Sequence, residues 1–287
     1  MGIRYGWVSR ETGLVAWHFV SHVECDGIGG FARLLRERGA EIEQLPQTRH
    51  SCRGVIAPLW RLWRDGRKEG KCADRSDWST PEPPLSVGWH LFTEGETEEI
   101  LSACRRLKVT ANSFLLRHLD LAVRPAVRRP RQGIAWMIPV NLRGDIRYPD
   151  DTENHVSCIE VRIGREDDAP AIHDQIRRRL ARGEHRANFL LLTAGGILGH
   201  QAKVDYLKKE RAKPAGTIGA FSNLGVWKGG EDGAGWVFCP PVVTGQLLGA
   251  GCVTMNGRLG LAVQGRDAGS WMERWVSQLC GRGVGPE

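Results

Sequence analysis

The segment between Leu14 and Arg38 constrains the fold of this chain more than any other. An apolar run rich in β-branched and aromatic residues predicts a buried strand, and an amphipathic run that ends at a glycine predicts a helix. His22, Asp26 and Gly27 lie in the few residues between them. A strand that enters a helix through a tight turn holds the histidine at the end of a rigid element, where a general base is needed.

The rest of the chain alternates between strand and helix patterns. The predicted strands are Ile3–Val8, Leu14–Ser21, Val87–Phe92, Ile134–Val140, Val156–Ile163, Thr217–Phe221, Cys252–Met255 and Leu259–Val263. The predicted helices are Gly29–Arg38, Glu96–Leu107, Thr110–Val123, Asp168–Arg182, Phe189–Lys209 and Trp271–Leu279. Ser222-Asn223 is interpreted as a turn at a strand end, and Asn256-Gly257 is a strong hairpin signal. Because strands interleave with helices, we expect an α/β fold with a mixed sheet.

Composition limits the class of protein. No apolar run reaches the ~18 residues that a membrane-spanning helix needs. The N-terminus lacks the apolar core of a signal peptide, so a cytoplasmic location is expected. The 8 cysteines do not have the spacing of a zinc knuckle and are interpreted as reduced thiols. Neither a metal nor a disulfide framework is therefore expected.

The net charge of +7 comes from basic clusters scattered along the chain. We interpret them mainly as solvated helix faces and loops, although such charge also attracts anionic ligands and nucleic acid. Trp60 and Trp63 lie in a basic, proline-punctuated region, where they are expected to pack onto the body of the protein. The sequence has no glycine-rich loop with the usual spacing of a dinucleotide-binding or phosphate-binding motif. It also lacks the Gly-x-Ser-x-Gly turn that carries the nucleophile of serine hydrolases.

The segment His22–Gly27 resembles the His-x-x-x-Asp-Gly signature of the chloramphenicol acetyltransferase-like superfamily. That group includes condensation domains, alcohol O-acyltransferases and wax ester synthases. Three later segments resemble the superfamily in the same order, namely Pro139–Arg143 after a central strand, the asparagine-led Asn154–Ser157, and the Ser-Asn segment Phe221–Gly225. The resemblance covers most of the chain, from about Leu14 to Leu279.

This resemblance implies a mixed-sheet α/β sandwich and a direct acyl transfer. An acyl thioester, carried by coenzyme A or by the pantetheine of a carrier protein, enters a tunnel between two lobes. A small-molecule hydroxyl or amine enters from the other side. His22 takes the proton of this acceptor as it attacks the thioester carbonyl, for which an imidazole that titrates near neutrality is suited. Coenzyme A, which is rich in phosphate, would also suit the basic charge of the chain.

The resemblance gives the neighbouring residues other roles. Asp26 is expected to hold the turn by pairing with an arginine, and Gly27 to let the backbone pass close to the substrate carbonyl. Arg4, Arg10 and Arg143 are the candidates for that arginine, of which we expect Arg143.

Residues of the Ser-Asn segment are expected at the thioester. Ser222 or Asn223, together with a backbone amide of the His22 turn, would stabilise the developing oxyanion. Gly225 completes this predicted binding segment.

Two departures from the superfamily pattern shape the prediction. Ser21 stands where the condensation branch usually has a second histidine, which favours the acyltransferase branch. The signature also comes early in the chain, so residues 1–45 are interpreted as the remnant of an N-terminal lobe. Residues 46–86 are interpreted as a linker or covering segment, and residues 87–287 as the C-terminal lobe. A separate N-lobe chain or a homo-oligomer would then complete the site.

Other interpretations remain open from the sequence. His22 can be a buried histidine bonded to the backbone, and His18 with His22 and Asp26 would imitate a metal site if the segment were helical. The chain can be a non-catalytic remnant of the fold that binds a partner. A basic nucleic-acid-binding protein is the third and least favoured class, and it requires binding that weakens with salt.

Overall fold

A computed structural model describes residues 2–48, 85–127, 133–146, 150–197, 216–229, 235–243 and 245–281, with side chains to residue 191 in the fourth range. The predicted linker lies almost entirely outside these residues, as do Trp60 and Trp63. The proposed division into two lobes and a linker therefore stays a prediction.

Nine strands and six α-helices make up the described residues. The strands are β1 Gly2–Val8, β2 Val15–Ser21, β3 Ser86–Leu91, β4 Ile134–Asn141, β5 Val156–Ile163, β6 Gly219–Trp227, β7 Gly235–Cys239, β8 Leu248–Met255 and β9 Arg258–Gly265. The helices are α1 Gly27–Glu37, α2 Glu94–Arg106, α3 Ala111–Val123, α4 Ala169–Ala181, α5 Glu184–Ile197 and α6 Ala268–Leu279. A short 3-10 turn, Arg124–Ala126, extends α3.

The strands form two sheets. A six-stranded sheet has the order β3-β9-β8-β6-β4-β5, in which β6 runs parallel to β4 and β8 while the other neighbours are antiparallel. A three-stranded antiparallel sheet has the order β2-β1-β7. The expected α/β fold with a mixed sheet is thus confirmed.

Two hydrophobic clusters explain how these elements pack. The larger cluster lies between the six-stranded sheet and helices α2, α3, α4 and α6, and its largest members are Trp136, Trp271 and Trp275. The second lies under α1, where Phe31 packs edge-on against Trp227 and Trp236. Burial of such aromatic side chains is the main stabilising term in a fold of this kind. The second cluster fixes α1, and with it the turn that carries His22.

Most predicted elements are confirmed to within two residues, but β6 ends later than predicted, and α5, β8 and α6 begin earlier. The predicted end of the helix Phe189–Lys209 lies outside the described residues. Ser222-Asn223 is not a turn, because β6 continues through it to Trp227 with a bulge between Asn223 and Val226. Helix α5 begins at Glu184 instead of Phe189, because Gly183, at φ +72°, ends α4 and lets the next helix start at once. Strand β7 was not predicted. Among the described residues, no helix is both long and apolar enough to cross a membrane.

Candidate active site at the His22 turn

The Asp26 carboxylate is the centre of the turn between β2 and α1. Oδ1 accepts from the backbone N–H of Gly29 at 2.8 Å, which caps the first turn of α1. Oδ2 accepts from the backbone N–H of His155 at 2.8 Å. Both oxygens also accept from the Arg143 guanidinium, at 2.8 and 3.1 Å. Asp26 therefore joins the start of α1 to the residues that follow β4 and to those that precede β5.

Arg143 is the only candidate arginine that the structure brings to Asp26, and its guanidinium is fully used. Besides the two bonds to Asp26, it donates to the side-chain oxygen of Asn141 at 3.3 Å and to the carbonyls of Asp151 and Glu153 at 2.9 and 3.0 Å. These five bonds match the five N–H donors of a guanidinium. Both side chains of the ion pair are about 5% exposed or less. A charge pair removed from water in this way is stable only when every donor and acceptor is satisfied.

The imidazole of His22 is half-buried and held in one orientation. Its Nδ1 lies 3.1 Å from the carbonyl oxygen of Cys25. Because a carbonyl only accepts, Nδ1 is the donor in this contact, and in the neutral ring the lone pair is then on Nε2. Among the described residues Nε2 has no hydrogen-bond partner. The backbone of His22 is fixed as well, since its carbonyl accepts from the side-chain amide of Asn154 at 3.3 Å.

Two titratable groups beneath the turn are kept neutral by burial. Burial raises the pKa of the Cys25 thiol, and it raises the pKa of the Tyr5 phenol well above its ordinary value. The Tyr5 hydroxyl donates to the carbonyl of Gly27 at 2.8 Å. The Cys25 thiol is completely buried and therefore does not have the exposed thiolate character of a nucleophilic cysteine.

The Ser-Asn segment is placed next to the signature turn by packing. A Cβ at Gly27 would lie 2.9 Å from the Leu224 side chain, so the absence of one allows close contact between α1 and β6. Asn223 stabilises the bulge of β6, because its side-chain oxygen accepts from the N–H of Gly225 at 2.8 Å. Gly225 has φ +86°, which favours glycine.

Within that segment, Ser222 and Asn223 differ in the hydrogen bonds already made. The Asn223 amide donates to Asn112 at the start of α3, so both ends of this side chain are occupied. The half-buried Ser222 hydroxyl makes no hydrogen bond with the described residues. Ser222 is therefore the better placed of the two to donate to a ligand.

The two other arginines considered as partners of Asp26, and His18, make their contacts away from the Asp26 carboxylate. The Arg4 guanidinium stacks on the Phe19 ring at 4.9 Å, and Arg10 lies in the exposed turn between β1 and β2. His18 Nε2 contacts the Arg38 guanidinium at 3.1 Å. No group of three metal-binding side chains is found in the part of the chain that the structure describes.

The sequence pattern identified the turn but missed several residues that support it. Asn141, which accepts from Arg143, also donates to the carbonyl of Pro46 at 2.6 Å. Thr152 packs its carbonyl against the backbone of Gly29, and its hydroxyl accepts from Arg33 at 2.8 Å. These contacts join segments that are far apart in sequence. Only Asn141, which lies in the segment Pro139–Arg143 that resembles the superfamily, gave a local signal for any of them.

Gly29→Ala is expected to destabilise the protein by about 1–3 kcal/mol. Alanine is normally favoured over glycine within a helix. At Gly29, however, a Cβ would clash with the carbonyl of Thr152, so α1 would have to move away from the loop that carries the Asp26 partners. Urea denaturation measures the change in the free energy of unfolding.

Gly95→Ala is the matched control. Gly95 lies in α2, and a Cβ there meets no atom within 4 Å. The same substitution should therefore leave stability unchanged or raise it by up to about 1 kcal/mol. Equal effects of the two substitutions would show that the contact with Thr152 does not constrain α1.

Comparison with known proteins identifies the fold. No protein-family model matches the sequence, and no curated protein does. Among solved structures, polyketide synthase associated protein 5 from Mycobacterium tuberculosis is similar over 97% of this chain and 76% of its own, with a TM-score of 0.59 and 16% identity.

Two further solved structures resemble this chain. A condensation domain of the enacyloxin polyketide synthase is similar over 94% of this chain and 58% of its own, with a TM-score of 0.54 and 11% identity. A trichothecene 15-O-acetyltransferase from Fusarium sporotrichioides is similar over 89% of this chain and 64% of its own, with a TM-score of 0.51 and 12% identity. The chain thus has the chloramphenicol acetyltransferase-like fold of condensation and acyltransferase proteins, and it spans roughly three fifths to three quarters of these neighbours.

Proposed function

We propose that this chain, which has the chloramphenicol acetyltransferase-like fold, transfers an acyl group from a thioester to a hydroxyl or amine, with His22 as general base. The observation that carries the proposal is the contact of His22 Nδ1 with the Cys25 carbonyl at 3.1 Å, from which we infer that Nε2 keeps the lone pair of the neutral ring. An imidazole held in this way can take a proton without first reorienting. The condensation and acetyltransferase neighbours support the reaction class.

The reaction proceeds in one transfer. The acceptor oxygen or nitrogen attacks the carbonyl carbon of the thioester, and its proton passes to Nε2 of His22. The tetrahedral intermediate then collapses, the carbon–sulfur bond breaks, and the departing thiolate takes the proton back from the imidazolium. No acyl-cysteine intermediate is needed, and the buried, protonated thiol of Cys25 is unsuited to forming one.

Ser222 supplies the donor for the negative charge that develops on the carbonyl oxygen. Its hydroxyl is not committed to another described residue, and Gly27 brings β6 against the start of α1. Preorganised donors aimed at a developing oxyanion act only in the transition state and so raise the rate.

Asp26 acts as a positioning residue. All its hydrogen bonds in the described residues run to Arg143, Gly29 and His155, and none reaches the His22 imidazole. A carboxylate bound by a guanidinium and two amides has no reason to exchange a proton during the reaction. Its contribution is to fix the turn on which His22 is held.

Coenzyme A and a carrier-protein pantetheine are both proposed as thioester carriers. They present the same reacting group, and the basic charge of the chain would suit the phosphates of either. Two structural neighbours are named for their association with a polyketide synthase, and a thioester on a carrier protein is therefore tested beside coenzyme A.

A direct assay tests the proposed function. The purified chain is incubated with acetyl-, octanoyl- or palmitoyl-thioesters of coenzyme A, or of a pantetheine-loaded carrier protein, together with panels of alcohols and amines. We expect thiol release that depends on the acceptor, and an ester or amide product by mass spectrometry. A folded chain that forms no product with any of these pairs would overturn the proposal and favour a non-catalytic binding role.

Ser222→Ala should lower kcat by about 10- to 100-fold, which corresponds to one hydrogen bond to a charged group. The thioester KM should change little, because the interaction is made mainly in the transition state. Steady-state kinetics with the best substrate pair measures both constants. Asn223→Ala, in contrast, should lower thermal stability, since it removes two hydrogen bonds that hold the bulge. A normal kcat in the serine variant would remove Ser222 from the mechanism.

A further inference from the structure

Strand β2 forms one edge of the three-stranded sheet, where β1 is its only neighbouring strand among the described residues. The N–H of Ser9 donates to the carbonyl of Leu14, which closes the β1–β2 hairpin. Residues of an antiparallel pair exchange hydrogen bonds at every second position. Continued along β2 in the observed register, this alternation turns the N–H and C=O groups of Val15, Trp17 and Phe19 away from β1.

This edge lacks the protection that edge strands usually have. Charged side chains, prolines and bulges normally prevent an edge from pairing with another strand. None of the residues Val15–Ser21 is charged or a proline, and their pairing with β1 is unbroken.

The edge strand β5 shows the contrast, because side-chain amides cover its outer backbone groups. The amide of Asn188 donates to the carbonyl of Cys158 at 2.8 Å. The amide of Gln175 bonds to both the N–H and the carbonyl of Arg162, at 2.7 and 2.9 Å. No side chain of the described residues covers the outer edge of β2 in this way.

Apolar side chains at the β2 edge are also left in water. Leu14 is 71% exposed and Phe19 is 64% exposed. Single exposed apolar residues are ordinary on a protein surface. Here, however, they lie beside unpaired backbone groups, and a flat apolar edge of this kind is a template for another strand.

A second copy of β2 matches this edge. Two β2 strands can pair antiparallel about a twofold axis at Trp17, as a symmetric dimer requires. Val15 of each copy then lies opposite Phe19 of the other, and Leu14 lies opposite Val20. The outward groups of the opposed residues exchange two backbone hydrogen bonds per pair, about six in all. Cross-strand contact between aromatic and β-branched side chains adds to the stability of such a pair.

Charge also favours this alignment. Arg10 and Glu24 lie equally far from Trp17 in sequence, one before it and the other after it. The same alignment therefore brings Arg10 in the β1–β2 turn of one copy to Glu24 in the His22 turn of the other, twice across the axis. Both residues are exposed, and neither forms an ion pair with a described residue. Opposite charges placed in this way favour one register over others.

We propose that two copies of this chain pair through β2 to form one six-stranded antiparallel sheet, in which Arg10 of each copy pairs with Glu24 of the other. The β1–β2 turn of the second copy then lies beside the His22 turn and forms one side of the candidate active site. The dimer requires no thioester, so it is independent of the acyl transfer proposed above.

Sedimentation equilibrium of the whole chain, without substrate and from about 1 to 300 μM, tests the proposal. We expect a reversible equilibrium between one copy and two, with a dissociation constant of about 1–100 μM, because a single strand pair is a small interface. A chain that stays monomeric over this range would overturn the proposal.

Amide hydrogen exchange shows whether the dimer uses β2. The outward N–H groups of Trp17 and Phe19 should exchange at least tenfold more slowly at high protein concentration than at low concentration. The N–H groups of Ala16 and His18, which face β1, should be protected at both concentrations. A dimer in which Trp17 and Phe19 exchange at the same rate as in the monomer would have another interface, and the proposal would be wrong.

Phe19→Glu should weaken the dimer by at least tenfold, because it places a carboxylate against Val15 of the other copy. The monomer should stay folded, since the side chain is exposed and the Arg4 guanidinium lies over it. Leu107→Glu is the matched control, because Leu107 is 46% exposed at the end of α2, outside β2. Circular dichroism checks the fold of each variant. An equal loss of dimer in both variants would refute the assigned edge.

Charge reversal tests the register. Arg10→Glu and Glu24→Arg should each weaken the dimer several-fold, because each places two like charges together. The double variant should restore the original dissociation constant. If the single variants dimerise normally, or the double variant is no better than either, Arg10 does not pair with Glu24.

Discussion

Replacing His22 by alanine is expected to lower the rate of acyl transfer by about 10²–10⁴-fold, the usual contribution of a general base. The free energy of unfolding should change little, because the half-buried ring makes one described side-chain hydrogen bond, to the Cys25 carbonyl. Single-turnover measurement of product formation, alongside urea denaturation, separates the two effects. His22→Asn adds a sharper test, because its amide can still donate to that carbonyl but cannot act as a base.

His18→Ala is the matched control for this experiment. His18 lies four residues earlier on β2, and its ring contacts Arg38. We expect this variant to transfer acyl groups at the normal rate. A His22→Ala variant that is as active as the unmodified chain would eliminate the histidine from the reaction, whatever the assay shows about the rest of the fold.

Asp26→Asn should reduce the free energy of unfolding by about 3–5 kcal/mol, the cost of leaving one partner of a buried ion pair without its countercharge. The asparagine keeps the shape of the side chain and one oxygen for capping α1. It leaves the Arg143 guanidinium, about 5% exposed, with no opposite charge in its hydrogen-bond shell. Arg143→Lys should be nearly as harmful, because one ammonium group cannot replace five N–H donors in a planar fork.

An exposed ion pair provides the comparison for this second prediction. Glu98 and Arg105 pair on the surface of α2, where each side chain is more than 60% exposed. Glu98→Gln should therefore cost less than about 1 kcal/mol. Chemical denaturation of the variants measures the difference. If Asp26→Asn costs no more than Glu98→Gln, the ion pair does not hold the turn.

The local parts of this molecule could be predicted from the sequence. The strand–turn–helix around His22 combines a β-branched and aromatic run with an aspartate that can cap a helix, and Asn256-Gly257 marks the hairpin between β8 and β9. These signals act over a few residues. Helix ends were less well predicted, because α5 begins among polar residues directly after Gly183.

The remaining features depend on contacts that a sequence pattern does not contain. Three arginines could have paired with Asp26, and only the folded chain brings Arg143 to it, from 117 positions away. The Ser222–Gly225 stretch has the composition of a turn, yet pairing with β8 on both sides of a bulge keeps it within a strand. Strand β7 is a short run that contains a glycine and is followed by two prolines, so its local pattern is weak.

Strand β7 also has a consequence for how the chain folds. It joins the three-stranded sheet, although the strands before and after it in sequence both belong to the six-stranded sheet. Arg4 pairs with Cys239, almost the whole length of the chain away. During synthesis, the β1–β2 hairpin must therefore leave the ribosome long before β7, the third strand of the same sheet, has been made. Acquisition of the native state should be slow and late, and an incomplete chain would expose an unprotected β1 edge that invites aggregation.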